Sequence, residues 1–218
     1  MRRIGLRQRG MTVALQAVLL ASAVTLSGCK VVTIAQDQAI RAKRSLNFNA
    51  DAYVAKIWDA QALPELQHRA TPAKDLFVAI DANADEAGAR LGRRASEGGA
   101  WTFVVSGEGV VDAVDDSSRR RTVVVSVGSQ VVRLETGPVV VGTALRDALP
   151  FIAFDDFSDQ LAYADVGRAL TTTALSRTKP ALDGLRPGDR VQFVGAFNLP
   201  AAGQPVFVTP ISVSKVAS

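Results

Sequence analysis

Residues Trp101 to Glu135, WTFVVSGEGVVDAVDDSSRRRTVVVSVGSQVVRLE, decide the fold. Trp101, Phe103, Val105, Val111 and Ala113 alternate with Thr102, Ser106, Glu108 and Asp112, the period of a long strand with one face buried. Gly107 and Gly109 interrupt it, and glycine inside a strand marks a bulge or a coil rather than a flat ribbon. Asp115 to Ser118 then makes a turn, and Thr122 to Val127 a second strand. Gly128-Ser129 is a two-residue hairpin turn into a third strand, Val131 to Glu135.

Beyond Gly137-Pro138 the period changes to that of helices. A short helix is expected near Thr143 to Leu149 and a longer one from Ser158 to about Leu175, with Ala162, Val166, Ala169, Leu170 and Thr173 on one side. Arg190 to Phe197 and Val206 to Val213 read as strands four and five, joined by the turn-rich Asn198 to Pro205. Three strands, a helical section and two more strands is the order of an OB-fold, whose small barrel needs a coiled first strand. A β-sandwich needs more strands, and a parallel α/β sheet needs a helix after each one. The expected class is therefore α+β: an OB-like five-stranded β-barrel over 97–218, with a helical section between strands three and four.

A helical segment over 49–96 precedes the barrel. Asn49 or Asp51 caps a helix that carries Tyr53, Val54, Ile57 and Trp58 on one face, and Pro64 marks a break or a new first turn. Thr71-Pro72-Ala73-Lys74-Asp75 reads as another helix start with Thr71 as cap and Leu76, Phe77 and Ile80 on the buried side. A third helix covers Ala84 to Leu91, and Arg93 to Gly99 is a linker.

The N-terminus points to an address. Arg2, Arg3, Arg7 and Arg9 precede an uncharged run of Val, Ala, Leu and small residues from Met11 to Thr25, short for a bilayer span but ordinary for a signal peptide. The run ends in Leu26-Ser27-Gly28-Cys29, which looks like a bacterial lipobox and holds the chain's only cysteine. The expectation is a lipoprotein signal peptide over 1–28, lipidation at Cys29 and a tether over 29–48. A plain secretory signal or an N-terminal anchor helix are the alternatives. Lys30 follows the cysteine, where aspartate would suggest inner-membrane retention, so the outer membrane is favoured. The chain has 25 Lys and Arg against 21 Asp and Glu, and four of the arginines precede Cys29, so the mature protein is formally neutral. The basic balance belongs to the leader and is no argument for nucleic acid. Thr122 to Glu135, where an oligonucleotide-binding barrel would carry aromatics, has none. One cysteine and one histidine leave neither a zinc cluster nor histidine-based catalysis to expect, and no metal or cofactor is expected.

The densest polar and aromatic block runs from Gly142 to Gln160. Arg146, Asp147, Asp155, Asp156 and Gln160 stand there among Phe151, Phe154 and Phe157, and carboxylates beside an apolar ring suit a sugar, whose hydroxyls hydrogen-bond while its C–H face packs on the aromatic. A purely structural account competes: Thr143 caps one helix, Asp156 or Ser158 the next, Arg146 pairs with an acid, and the phenylalanines fill the barrel mouth. Asp155 and Asp156 would have to face one cleft for a glycoside hydrolase mechanism, and neighbouring side chains tend to diverge. Asp81 to Asp85 resembles a calcium loop only until Glu86 stands where glycine is needed, so helix capping explains it better. His68 reads as a helix-end residue and Arg119-Arg120-Arg121 as a solvated turn.

Gly28-Cys29-Lys30-Val31-Val32, Tyr53 with Ile57-Trp58, Gly107-Glu108-Gly109, Gly142 to Asp147, Phe154 to Phe157 and Gly195-Ala196-Phe197 together resemble an uncharacterised family of predicted periplasmic lipoproteins, a domain of unknown function. The resemblance implies a lipid-anchored protein on the periplasmic side of the envelope. Members are often encoded beside sugar ABC importers, which implies an accessory of such a transporter, in contact with its components or with a carbohydrate. Three functions follow as expectations: a non-enzymatic binding accessory, with Arg146, Asp147, Phe154, Asp155, Asp156 and Gln160 as candidate contacts; an envelope scaffold without a small-molecule site; and a carboxylate-dependent glycoside hydrolase. A Cys29→Ser variant is expected to lose both fatty-acid labelling and membrane partition. Retention of both would refute lipidation at Cys29.

Overall fold

The computed structural model describes residues 48–216. The expected leader over 1–28, Cys29 and the tether up to its last residue lie outside these. The chain runs α1 (Ala50–Ile57), a π-helical turn (Trp58–Ala62), α2 (Leu63–His68), β1 (Thr71–Pro72), α3 (Ala73–Ala82), α4 (Ala84–Leu91), β2 (Thr102–Asp115), β3 (Thr122–Val127) and β4 (Gln130–Glu135). Then follow α5 (Ala144–Ala148), a 3-10 turn (Phe154–Asp156), α6 (Gln160–Leu182), β5 (Arg190–Asn198) and β6 (Val206–Lys215). Among the described residues no helix is long and apolar enough to cross a membrane.

Strands β2 to β6 close into a barrel: the sheet order is β1-β2-β3-β4-β6-β5, and β5 pairs back onto β2. The β4–β6 pair is parallel, as is the short β1 on β2, and the other pairs are antiparallel. Closure depends on β2, which pairs through Thr102 to Val110 with β5 and through Val110 to Asp115 with β3. One strand can serve two neighbours in succession only by coiling, and the glycines permit it. A Cβ on Gly109 would lie 2.3 Å from the Ser126 carbonyl oxygen, and one on Gly107 2.8 Å from the Phe193 ring. A register shift between Val111 and Ala113 completes the coil. It also turns Ala113 outward, where the simple alternation had buried it.

The barrel has an apolar interior and an apolar wall. Inside lie Phe103, Val105, Val123, Val125, Leu134, Val191, Phe193, Phe197 and Val208, with Leu76 and Phe77 from α3 and Leu182 from α6. Outside, Val104, Ala196 and Ile211 pack against Val54, Ile57 and Leu66 of the first helices, Leu145 of α5, and Val166 and Leu170 of α6. Phe103, Val104 and Val105 are therefore buried in succession, because helices cover the wall there. Thr102, expected on the solvent side, is buried as well, and its hydroxyl donates to Asn198 Oδ1 at 2.7 Å.

Local differences have local causes. Asn49 caps α1 as expected, accepting the Ala52 N–H at 2.9 Å. Pro64 does not break the helix: the chain widens into the π turn, and the proline falls in the first turn of α2, where its missing N–H matters least. Thr71 is no cap, because Thr71 and Pro72 pair with Val105 and Ser106 as a two-residue strand. Asp159, rather than Asp156 or Ser158, caps α6 by accepting the Ala162 N–H at 2.9 Å, and the helix continues to Leu182 with Pro180 in its last turn. Gly109→Ala is expected to cost about 3 kcal/mol through a clash with strand backbone. Gly98→Ala, in open space at φ +73°, is expected to cost about 1 kcal/mol. Equal urea midpoints for the two variants would contradict the close-approach role of Gly109.

Candidate functional site

Where α5, α6, the end of β5 and the 93–100 loop meet, they enclose a cavity of about 430 Å³. That is within the range of small-molecule sites, roughly 300–1,000 Å³. Its floor is an ion pair of two adjacent residues on α5. Arg146 Nε and Nη2 donate to Asp147 Oδ1 at 2.9 and 2.7 Å, and Thr143 Oγ1 donates to Oδ2. Both side chains are nine-tenths buried. The guanidinium lies 3.7 Å from the centroid of the Tyr163 ring, and its Nη1 donates to the Tyr163 carbonyl at 3.4 Å. A buried charge pair is stabilised by further hydrogen bonds at its remaining polar positions, and here the Tyr163 carbonyl and the Thr143 hydroxyl each supply one.

The walls come from separate elements. Phe154, half exposed on the 3-10 turn, stands edge-on to Tyr163 with centroids 5.6 Å apart. Gln160 and Ala164 line the α6 side, and Asn198 ends β5. Ala95, Ser96, Gly99 and Ala100 complete the rim from a loop clamped at both ends. Arg93 bridges to Thr102 through backbone bonds of 2.9 and 2.8 Å, and its Nη1 donates to the Asp147 carbonyl at 2.7 Å. At the other end Trp101 fills the space left by Gly88, donates to Asp85 Oδ1 at 2.9 Å, and is covered by the Arg94 guanidinium at 3.8 Å.

Of the residues singled out from the sequence, Arg146, Asp147, Phe154 and Gln160 line this cavity, and Asp155 and Asp156 do not. Asp156 Oδ2 accepts the Ala153 N–H at 2.9 Å and closes its own turn, while Asp155 is exposed beside it. The two carboxylates therefore do not flank a ligand in this cavity. The phenylalanines do not fill the barrel mouth either: Phe157 packs with Phe48, Tyr53 and Tyr163 on the helical side. Burial, and then the negative charge of Asp156, push the Tyr53 hydroxyl above the ordinary phenol range. Thr143 spends its hydroxyl on Asp147 rather than on a backbone cap.

Asn83 caps α4 with its Oδ1, as the failed calcium-loop pattern suggested, and His68 ends α2. Arg119 and Arg121 are exposed, but Arg120 departs from the solvated-turn reading: its Nε donates to the buried Glu135 at 2.8 Å. Tyr163 escaped the sequence reading although it lies three residues after Gln160, a spacing that puts both on one helix side. Asn198 and the 95–100 rim carry no local signal, since only barrel closure brings them here. Asp147→Ala strands a buried guanidinium and is expected to cost about 4 kcal/mol. The Arg146→Met/Asp147→Leu double variant is expected to lose far less in chemical denaturation, and equal losses would contradict a mutually dependent pair.

The comparisons agree with this architecture. No curated protein matches the chain. A crystal structure of an OB-fold protein from Thermotoga maritima superposes with a TM-score of 0.63 at 16% identity, covering 78% of this chain and 99% of that one. At that identity the likeness concerns the fold. The model of a family described as "Predicted periplasmic lipoprotein (DUF2291)" matches residues 19–214. The chain belongs to that family of periplasmic, lipid-anchored proteins of unknown function.

Proposed function

We propose that this lipoprotein is a non-enzymatic binding module whose cavity takes a small neutral carbohydrate. The observation that carries the reading is a charge-compensated floor facing an exposed aromatic wall. Arg146 and Asp147 neutralise each other, so an anion gains little there, whereas a polyol meets donors and acceptors without any net charge to desolvate. Three of the five Arg146 N–H groups are engaged, and the Asp147 oxygens keep lone pairs beyond those used. Phe154 brings an aromatic ring to the cavity for sugar C–H groups to pack on, and Gln160 offers both a donor and an acceptor. Hydrolysis requires two carboxyl groups across the ligand, about 5–9 Å apart. The cavity presents Asp147 alone, held by Arg146 and Thr143, which favours binding over catalysis.

Such a ligand fits an accessory of a sugar ABC importer, anchored to the membrane through Cys29. An envelope scaffold without a ligand is the competing account, and the self-satisfied Arg146–Asp147 pair supports it. Titration calorimetry of the detergent-solubilised full chain against pentoses and hexoses separates the two. Saturable binding is expected, weakened about tenfold or ~1.4 kcal/mol by Phe154→Ala or Gln160→Ala, both at exposed positions. Absence of heat with every sugar would overturn the carbohydrate reading. In a cross-linked pull-down from membranes, recovery of a sugar-binding protein or permease supports the transport role, and recovery of abundant envelope proteins alone supports scaffolding.

A further inference from the structure

A second, smaller cavity of about 170 Å³ lies on the outer side of the β4–β6 pair, and Asn198 lines it as well as the first. We infer that the two are subsites of one bipartite cleft, so that the ligand is a disaccharide or a two-ring glycoside. The inference rests on the carbohydrate reading of the first cavity and deepens it.

The second cavity repeats the chemistry of the first with different elements. Glu135 Oε1 accepts Arg120 Nε at 2.8 Å, and Oε2 accepts the Thr209 hydroxyl at 2.8 Å. The Arg120 guanidinium lies 3.5 Å from the centroid of the Phe207 ring. A carboxylate bound by an arginine on one oxygen and a threonine on the other, with that arginine over an aromatic ring, thus occurs twice: Arg146, Asp147, Thr143 and Tyr163, then Arg120, Glu135, Thr209 and Phe207. The sequence contains no repeat that would produce this. Each group is neutral as a whole, and each lines a cavity.

A stabilising ion pair would need neither a cavity nor spare donors, and this one has both. Arg120 uses only Nε, and its two terminal nitrogens have no protein partner among the described residues. The turn that carries it is held by the Thr136, Gly137 and Val139 N–H groups, which donate to the Arg121, Arg120 and Arg119 carbonyls at 3.0, 2.9 and 3.4 Å. A Cβ on Gly137 would stand 2.1 Å from the Arg120 carbonyl oxygen, so only glycine lets the two segments approach this closely.

Asn198 links the subsites. Its Oδ1 accepts the Thr102 hydroxyl, while its Nδ2 has no protein partner among the described residues and lies 3.8 Å from where a Cβ on Gly142 would be. That leaves a free donor on the wall common to both cavities. The smaller cavity, about 170 Å³, offers room for one further ring. Val141, highly exposed, and Pro205 form an apolar rim suited to its C–H face.

The test is calorimetry of the detergent-solubilised full chain with glucose against maltose, cellobiose and trehalose, and with xylose against xylobiose. At least one disaccharide is expected to bind about tenfold tighter than its monosaccharide. Val141→Trp fills the second subsite from the exposed rim. It is expected to abolish that advantage and leave monosaccharide affinity unchanged, with circular dichroism confirming the fold. Monosaccharide binding with no tighter disaccharide overturns the bipartite cleft and leaves the first-cavity reading intact. Binding of neither class overturns both. Equal weakening of both sugars by Val141→Trp also overturns the assignment of the second subsite.

Discussion

The coil of β2 is the constraint on which the rest depends. Its first half pairs with β5 and its second half with β3, and the barrel closes only because Gly109 lets its backbone approach Ser126. That closure positions both cavities. It sets Thr102 opposite Asn198, which brings the end of β5 to α5, and it sets the Arg119–Arg121 turn against the segment leaving β4. It also exposes an apolar wall at Val104, Ala196 and Ile211, which must be covered. The helices that cover it meet the 93–100 loop at the larger cavity. The site is thus a consequence of how the barrel wall is closed and covered.

The electrostatics follow from burial. An ion pair removed from water gains Coulomb energy but loses hydration, so it is weak evidence for stability on its own. Arg146–Asp147 and Arg120–Glu135 are each completed by a threonine hydroxyl and an aromatic ring, which satisfies the carboxylates and leaves guanidinium N–H groups over. Apolar residues of similar volume would hold the same space with less desolvation. What the polar pairs add is a set of fixed, oriented hydrogen-bonding groups without net charge, the feature on which the proposed carbohydrate binding rests.

Much of the fold was legible in the sequence because its signals are local. Alternation from Trp101 onward, glycines inside the first long strand, the Gly128 turn with φ +62°, and a helix between strands three and four are all short-range features. What the pattern missed depends on tertiary partners. Ala113 turned outward because a bulge changed the phase, Thr71 and Pro72 became strand because β2 offered an edge, and Val104 was buried because helices cover the wall. The candidate site divides in the same way. Arg146, Asp147, Phe154 and Gln160 come from one contiguous block and could be proposed together. Asn198, Tyr163 and the buried Glu135 could not, since Glu135 occupies an outward strand position that reads as solvent-facing until Arg120 covers it. Asp155 and Asp156 drew attention by adjacency, which is a poor guide to a shared cleft.

The chain is a member of the periplasmic lipoprotein family, and its barrel carries a polar, aromatic-walled cavity against its helical side. The most direct measurement is a crystal structure of the protein grown with a saturating sugar. The account predicts one ring in the 430 Å³ cavity, stacked on Phe154 with hydroxyls within hydrogen-bond reach of Arg146 and Gln160. Sugar bound elsewhere, or a cavity holding only water at saturation, would contradict it.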